Sequence, residues 1–170
     1  MGFEIERKFL VNVDLWQRPE GGVRLRQGYV ATTDGTTVRV RIAGDRACVT
    51  FKDRAVGLTR HEFEYEIPVA DAEILLETMC AKPQVDKIRH RVPAAEPGLV
   101  WEVDEFLGAN APLVTAEIEL PAEDTPFAKP AWLGKDVTDD HRYKNNNLAN
   151  LPFSTWPRAD AGDYEQKSLS

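Results

Sequence analysis

The chain has 170 residues, of which 42% are hydrophobic, and this length and composition are typical of one globular domain with its own core. Its formal net charge is −7, and no stretch concentrates Lys and Arg away from acidic residues. This argues against a nucleic-acid or anionic-membrane surface, since both need an extended basic patch. The sequence shows no apolar signal segment and no long apolar run, so we expect a cytoplasmic protein.

Short segments with β-strand character, separated by turn residues, make up most of the chain. We place strands at 2–11, 23–31, 37–43, 47–52, 61–69, 85–92, 99–106 and 113–120. Most connections between them are short, which favours antiparallel neighbours over parallel strands joined by helices.

Three helices and a tail complete the predicted elements. An amphipathic helix follows Asp71, with Ile74, Leu75, Thr78 and Met79 predicted to form its buried stripe. A short helix is predicted within 123–129 and another after Thr138. Periodicity is lost from residue 152 onward, so we predict one domain over 1–151 and a disordered tail over 152–170.

Charged side chains recur at every second position of the predicted strands, which puts them on one face of each strand. They are Glu4, Glu6 and Lys8; Arg39 and Arg41; Lys52; Glu62, Glu64 and Glu66; Lys87, Arg89 and Arg91; Glu102 and Asp104; and Glu117 and Glu119. A sheet with one solvated face also alternates in this way. Here, however, most strands carry charges of a single sign, and like charges side by side would only destabilise an exposed sheet.

This pattern predicts an α+β, mainly β fold: an eight-stranded antiparallel closed β-barrel with a charged interior and a few flanking helices. Crowded carboxylates inside such a barrel require divalent cations between them, and clustered Arg and Lys require an anion rich in oxygen. A polyphosphate with Mg²⁺ satisfies both requirements, and this combination is the one that phosphoryl transfer uses.

The ordered set of motifs from residue 3 to about residue 150 resembles the CYTH domain family, also called the triphosphate tunnel metalloenzymes. The matching residues are Glu4-x-Glu6-x-Lys8, Leu25-Arg26-Gln27-Gly28-Tyr29, the Arg39/Arg41 strand, Lys52, Lys87-x-Arg89, Glu102-x-Asp104, Glu117-x-Glu119 and the segment 137–145. The pattern is most similar to small bacterial members that hydrolyse inorganic tripolyphosphate. The resemblance implies a triphosphate-binding tunnel with Mg²⁺ or Mn²⁺ as cofactor.

The resemblance also implies roles for individual residues. Glu4, Glu6, Glu117 and Glu119 would hold a first metal, and Asp104 with Glu62 or Glu64 would serve a second metal or the attacking water. The clamp on the phosphates would consist of Lys8, Arg39, Arg41, Lys52, Lys87 and Arg89. Tyr29 resembles a tyrosine that pairs with the motif lysine and would place a proton donor near the leaving phosphate; alternatively, it is a strand aromatic packed on the sheet.

Several functions stay open at this point. The leading expectation is metal-dependent hydrolysis of inorganic tripolyphosphate to pyrophosphate and phosphate. The alternatives are a thiamine triphosphatase or an adenylate cyclase of the same family, a non-catalytic polyphosphate- or nucleotide-binding module, and an acidic β-sandwich that mediates protein contacts. The expected partner is a small triphosphate, with no nucleic acid and no membrane, and the oligomeric state is open to a homodimer.

Overall fold

The computed structural model describes residues 5–54 and 61–157. Its strands are β1 (Ile5–Val11), β2 (Val23–Val30), β3 (Thr37–Ala43), β4 (Arg46–Lys52), β5 (Glu62–Ile67), β6 (Val85–Pro93), β7 (Val100–Phe106), β8 (Val114–Leu120) and β9 (Leu133–Asp136). Its α-helices are α1 (Val69–Thr78) and α2 (Asn145–Asn150), with 3₁₀ turns at Gly108–Asn110, His141–Tyr143 and Phe153–Thr155. The mainly β prediction is confirmed, and the first eight strands lie where the alternation placed them.

All strands join one antiparallel sheet in the order β5-β4-β3-β2-β6-β7-β8-β1-β9. The prediction of an eight-stranded closed barrel was therefore wrong in two respects. The sheet has 9 strands, and no hydrogen-bonded ladder between described residues joins its edges β5 and β9. Strand β9 escaped prediction because it is short and contains Gly134, whose missing side chain lets the backbone approach Leu10; a Cβ there would lie 2.9 Å from the Leu10 carbonyl oxygen.

The sheet curls, so that one of its faces is concave. Lys8 on β1 and Tyr29 on β2 are four strands apart in the sheet order, yet the charge of Lys8 acts on the Tyr29 hydroxyl. One end of the concave face is filled by an apolar cluster in which strand residues meet the C-terminal segment. The cluster includes Leu10, Val85, Phe106, Leu113, Tyr143, Leu148, Phe153 and Trp156.

The start of the predicted disordered tail is part of this core. Residues 152–157 are described, Phe153 and Trp156 are buried, and the Phe153 backbone N–H donates to the Asn110 side chain at 2.9 Å. Burial of two aromatic rings stabilises the segment without any sequence periodicity. The rest of the predicted tail, 158–170, lies outside the described residues.

Helix α1 covers part of the convex face, over Val40, Ile42 and Ala47. Its buried residues are Ala72 and Leu76, and Leu75 is partly buried against the same cluster. Leu75 of the predicted stripe is therefore confirmed, whereas Ile74, Met79 and Thr78 were wrong, since all three are exposed. The small Ala72 side chain lets the helix lie close to the sheet beside Leu76, which leaves Ile74 on the outer side.

The other two predicted helices also differ from the structure. Residues 123–129 form turns and extended chain, with Phe127 packed on Phe9 and Trp101, and the segment after Thr138 forms a 3₁₀ turn before α2 begins at Asn145. Within the described parts of the chain, no helix is long and apolar enough to cross a membrane.

Candidate active site

The strand registers place the alternating charges on the concave face. Lys8 lies opposite Glu117 and Glu6 opposite Glu119 on the β1–β8 pair. The same holds for Arg89 with Asp104, Arg91 with Glu102, Lys52 with Glu62, and Thr50 with Glu64. Because directly opposite residues share a face, each predicted site residue that the structure describes lies on this surface. Glu4, predicted as a metal ligand, lies outside the described residues.

A network of buried ion pairs, here called the compensated cluster, occupies the β1, β6, β7 and β8 part of the face. It consists of the cations Lys8, Lys87 and Arg89 and the carboxylates Glu102, Asp104 and Glu117. Lys87 Nζ lies 2.7 Å from Asp104 Oδ2, and Lys8 Nζ lies 2.9 Å from Glu117 Oε1. Arg89 donates two hydrogen bonds to Asp104, of 2.7 and 2.8 Å, and one to Glu102, of 2.6 Å.

The pKa values show how strongly these charges depend on one another. Burial alone would raise the pKa of Asp104, but Lys87 and Arg89 outweigh it and hold that pKa well below the ordinary range. Burial lowers the pKa of Lys87 to about 8 against the opposing pull of Asp104. Burial would also raise the pKa of Glu117, yet Lys8 keeps it low. At neutral pH, each charge of the cluster is therefore matched by an opposite one.

The C-terminal segment adds hydrogen bonds to two cations of the compensated cluster. Lys8 Nζ donates to the Tyr143 carbonyl oxygen at 2.7 Å, and Lys87 Nζ donates to Asn145 Oδ1 at 3.0 Å. The sequence marked residues 137–145 only as part of a resemblance and gave them no role. Their contribution is to complete the hydrogen bonding of ammonium groups that water does not reach.

A second group, here called the arginine cluster, lies on β2, β3 and β4. Its members are Arg39, Arg41, Gln27, Tyr29 and Thr50. Arg41 Nε donates to Gln27 Oε1 at 2.9 Å, and Arg39 donates to Thr50 Oγ1 at 3.1 Å. The Nε of Arg39 is buried without a hydrogen-bond partner in the described part of the chain. These guanidinium groups thus have mostly neutral partners.

Electrostatics at the arginine cluster differ from those of the compensated cluster. Burial, and then the charges of Arg39 and Arg89, lower the pKa of Arg41, which forms no ion pair with any carboxylate in residues 5–54 or 61–157. Arg39 has a loose contact of 3.6 Å to Glu64, an exposed side chain. Burial raises the pKa of Tyr29, although Arg39 and Arg41 oppose this. An anion entering here would meet unneutralised positive charge.

Carboxylates gather where the concave face opens. A hollow of about 340 Å³ is lined by Arg91, Glu102 and Glu119, among others. Glu6 lies directly opposite Glu119, and like charges in this relation destabilise a sheet. A cation between them would remove the repulsion, and oxygen donors of this kind suit a hard divalent ion. Among the described residues, however, no three acidic, His or Cys side chains stand close enough to form a ligand set by themselves.

The remaining predicted residues occupy two different settings. Glu62 and Glu64 lie on the edge strand β5, where Glu62 contacts Lys52 at 3.4 Å and Glu64 accepts a hydrogen bond from Thr50. Asp104, by contrast, is wholly buried, and its oxygens are already occupied by Lys87 and Arg89. Asp104 is thus buried, whereas Glu62 and Glu64, with which the resemblance grouped it, lie exposed on another strand.

Gln27 and Thr50 are site residues to which sequence reasoning gave no role. Both are wholly buried on the concave face: Gln27 connects Arg41 to Tyr29, and Thr50 connects Arg39 to Glu64. Their strand positions carried the signal, because each lies on the same alternating face as neighbouring charges. The sequence pattern did not predict them because it consists of charged side chains, and these two are neutral.

Comparisons with known proteins agree with this geometry. A family model described as "CYTH domain" matches residues 2–150. An inorganic triphosphatase of Acetivibrio thermocellus is 46% identical over 156 residues, covering 92% of this chain and 99% of that protein. One of Nitrosomonas europaea is 40% identical over 152 residues, covering 86% and 96%. A crystal structure of an inorganic triphosphatase superposes with a TM-score of 0.68 at 37% identity, covering 88% of this chain and 95% of that one.

Proposed function

The chain belongs to the CYTH domain family, and on that premise we propose that it hydrolyses inorganic tripolyphosphate to pyrophosphate and phosphate on the concave face of its sheet. It is a triphosphatase, a hydrolase that cleaves phosphoanhydride bonds. The observation that carries the choice of an anionic substrate is the arginine cluster, where Arg39 and Arg41 are partly buried beside mostly neutral partners.

A phosphate chain fits the arginine cluster for electrostatic reasons. A guanidinium presents its donors in a planar fork that matches pairs of phosphate oxygens. Arg41 lies within the field of both Arg39 and Arg89, so an anion bound among them relieves the repulsion that lowers the pKa of Arg41. We propose Lys52, Lys8, Lys87 and Arg89 as further members of the clamp, because all lie on the same concave face.

Family membership implies a divalent metal ion, for which we propose Mg²⁺ or Mn²⁺. Glu6 and Glu119, with Glu4 and Glu117, are the proposed ligands, and the direct opposition of Glu6 and Glu119 supports this. We propose Asp104, with Glu62 or Glu64, for a second metal or the attacking water, and for Asp104 this role requires Lys87 or Arg89 to release one of its oxygens. Bound metal would neutralise charge on the phosphate oxygens and so ease nucleophilic attack on phosphorus.

The protein's own groups would act on the substrate as follows. Arg39, Arg41 and Arg89 hold phosphate oxygens and stabilise the charge that builds up on them. The oxygen of a water adds to a terminal phosphorus while Glu62 or Glu64 takes up the proton that the water loses, the bond from that phosphorus to the bridging oxygen breaks, and pyrophosphate leaves. The Tyr29 hydroxyl, buried near Lys8 and both arginines of its cluster, would donate a hydrogen bond to the leaving oxygen.

Phosphate release from tripolyphosphate, with and without Mg²⁺, tests the proposal. ATP, thiamine triphosphate and pyrophosphate are measured in parallel, and cyclic AMP formation from ATP is followed separately. Metal-dependent release that is fastest with tripolyphosphate is the expected result. Faster hydrolysis of thiamine triphosphate, cyclisation of ATP, or triphosphate binding without turnover would each replace the proposal with one of the alternatives above.

A pair of arginine variants makes the test specific for the site. Arg39→Ala removes a partly buried member of the arginine cluster, whereas Arg46→Ala removes an exposed guanidinium that pairs with Glu66 on the same part of the sheet. We expect loss of turnover in the first variant only. Equal activity in both would remove the arginine cluster from the mechanism. A cytoplasmic location and the absence of nucleic-acid and membrane partners stay predictions from the sequence.

A further inference from the structure

Gln27 occupies an unusual position in the candidate site. It lies on β2, it is wholly buried, and its amide contacts Arg41 on one side and Tyr29 on the other. The distances are 2.9 Å from Gln27 Oε1 to Arg41 Nε and 3.0 Å from Gln27 Nε2 to the Tyr29 hydroxyl oxygen. This single neutral side chain therefore links a proposed phosphate-binding cation to a proposed proton donor.

The chemistry of the partners fixes the orientation of the amide. A guanidinium can only donate hydrogen bonds, so the atom that faces Arg41 Nε has to be the amide oxygen. The amide nitrogen consequently faces Tyr29 and donates to its hydroxyl oxygen. The Tyr29 oxygen is thus an acceptor in this contact, and its own hydrogen points elsewhere.

The surroundings of Tyr29 leave that hydrogen for a group that enters the cavity. Among the described residues, the side-chain hydrogen bond of the Tyr29 hydroxyl is the one it accepts from Gln27, and Arg39, Arg41 and Lys8 are the charged groups that influence its pKa most. All of them are donors and cannot accept a hydrogen bond. An oxygen of a bound phosphate is an acceptor of the required kind, and the same cations attract it.

The backbone around Gln27 is held firmly, which keeps the amide in place. Gln27 pairs with Arg41 on β3 and with Val85 on β6, so it lies within the sheet and not at an edge. The next residue, Gly28, is pressed against the end of α1: a Cβ there would lie 2.9 Å from the Cys80 Cβ. Strand β2 cannot shift without disturbing this contact.

We propose that Gln27 is a positioning residue that fixes the Arg41 guanidinium and turns the Tyr29 O–H toward the bound triphosphate. The inference rests on the proposed function, because it requires a triphosphate on the arginine cluster. Gln27 itself does not touch the reacting atoms. Its effect passes through Tyr29 to the leaving oxygen and through Arg41 to the bound phosphates.

A double-mutant cycle with Tyr29→Phe tests the first route. Gln27→Met keeps the length of the side chain and removes both hydrogen bonds, and we expect kcat for tripolyphosphate to fall by about tenfold to a hundredfold. In the Tyr29→Phe background the same substitution should lower kcat by clearly less, because the hydroxyl that it orients is gone and only the contribution through Arg41 remains. An equal loss of kcat in both backgrounds would overturn the Tyr29 route.

Gln27→Glu gives a second test that does not depend on removing the polar group. The new carboxylate still accepts from Arg41, but it also accepts from Tyr29 and so draws the hydroxyl hydrogen away from the substrate. We expect kcat to fall at least as far as with Gln27→Met. A kcat equal to that of the unchanged protein would overturn the proposal. Gln84→Met is the matched control for Gln27→Met, because it makes the same substitution at a glutamine whose amide donates to the Leu76 carbonyl oxygen and, within the described residues, is hydrogen-bonded to neither Arg41 nor Tyr29; we expect kcat within about twofold.

Binding of tripolyphosphate in the presence of EDTA, measured by calorimetry, tests the Arg41 route without turnover. Gln27→Met should weaken binding several-fold in the unchanged background and have no effect when Arg41→Met is already present. If the unchanged protein binds tripolyphosphate but does not hydrolyse it, the proposed function fails while this cycle still decides the role of Gln27. If it neither binds nor hydrolyses tripolyphosphate, both proposals are overturned.

Discussion

The compensated cluster and the arginine cluster share one concave face and differ in how their cations are balanced. In the compensated cluster, Lys87 and Arg89 both contact Asp104 within 2.8 Å. In the arginine cluster, Arg41 is partly buried, but its hydrogen-bond partner is the neutral amide of Gln27. Burial of a charge is costly, and an opposite charge offsets that cost. The first cluster therefore stabilises the fold in addition to its proposed part in the site, whereas the second keeps positive charge for a ligand.

The largest loss of stability is expected from a substitution that breaks the compensated cluster. Lys87→Met leaves the wholly buried Asp104 with a single cationic partner, and the loss of a buried partner costs about 3–5 kcal/mol. We expect the urea midpoint of unfolding to fall accordingly. The double variant Lys87→Met, Asp104→Leu removes both charges and should recover part of the loss. A midpoint unchanged by the single substitution would contradict the assignment of the cluster to stability.

Removal of a cation from the arginine cluster should reduce activity strongly and stability little or not at all. Arg41→Met eliminates a partly buried charge that lacks an ionic partner, so we expect stability to be unchanged or slightly increased. The value of kcat/KM for tripolyphosphate should fall by about a hundredfold to a thousandfold, as for other donors that stabilise developing charge. Paired urea titrations and phosphate-release assays check both expectations. A large loss of stability would show that the arginine cluster stabilises the fold in the same way as the compensated cluster.

Acid should weaken the compensated cluster through Asp104. The folded-state pKa of Asp104 lies below its ordinary value of 3.8, so the unfolded chain takes up the proton first as the pH falls. The stability from Asp104 is therefore fully present above about pH 5 and is lost progressively below it, with a loss of about 1 kcal/mol by about pH 3. Urea midpoints measured from pH 7 down to pH 3 test this. Asp104→Asn should show a shallower dependence on pH, and an unchanged slope would contradict the prediction.

The smallest expected effect belongs to an exposed ion pair near the arginine cluster. Arg46 and Glu66 lie 2.7 Å apart on β4 and β5, and both are well exposed to solvent. Surface pairs of this kind contribute little, since water screens them. We expect Arg46→Ala to leave both the urea midpoint and kcat/KM unchanged within measurement error. A clear loss of activity would extend the site to the outer end of β4.

Strand positions and the shared face of the charges could be predicted because they follow from a period of two residues. Gln27 shows where that approach ends: it is a central residue of the candidate site, but a neutral side chain carries no charge pattern. Phe153 and Trp156 were read as part of a tail because an isolated turn has no periodicity, and only tertiary packing shows that they are buried. Whether the sheet closes into a barrel is likewise decided between distant strands and not by any one of them.

Strand β5 has no neighbouring strand on one side among the described residues, and this has a consequence for how the molecule behaves at high concentration. An unpaired strand edge invites pairing with another chain, and β5 also exposes Phe63 and Tyr65 on its convex side. Its alternate positions, Glu62, Glu64 and Glu66, place negative charge along the same edge. These carboxylates would therefore keep copies of the chain apart by mutual repulsion, in addition to any work in the cavity. Variants that neutralise Glu62 or Glu64 should be examined by light scattering before a loss of activity is attributed to the site, because self-association would produce the same loss.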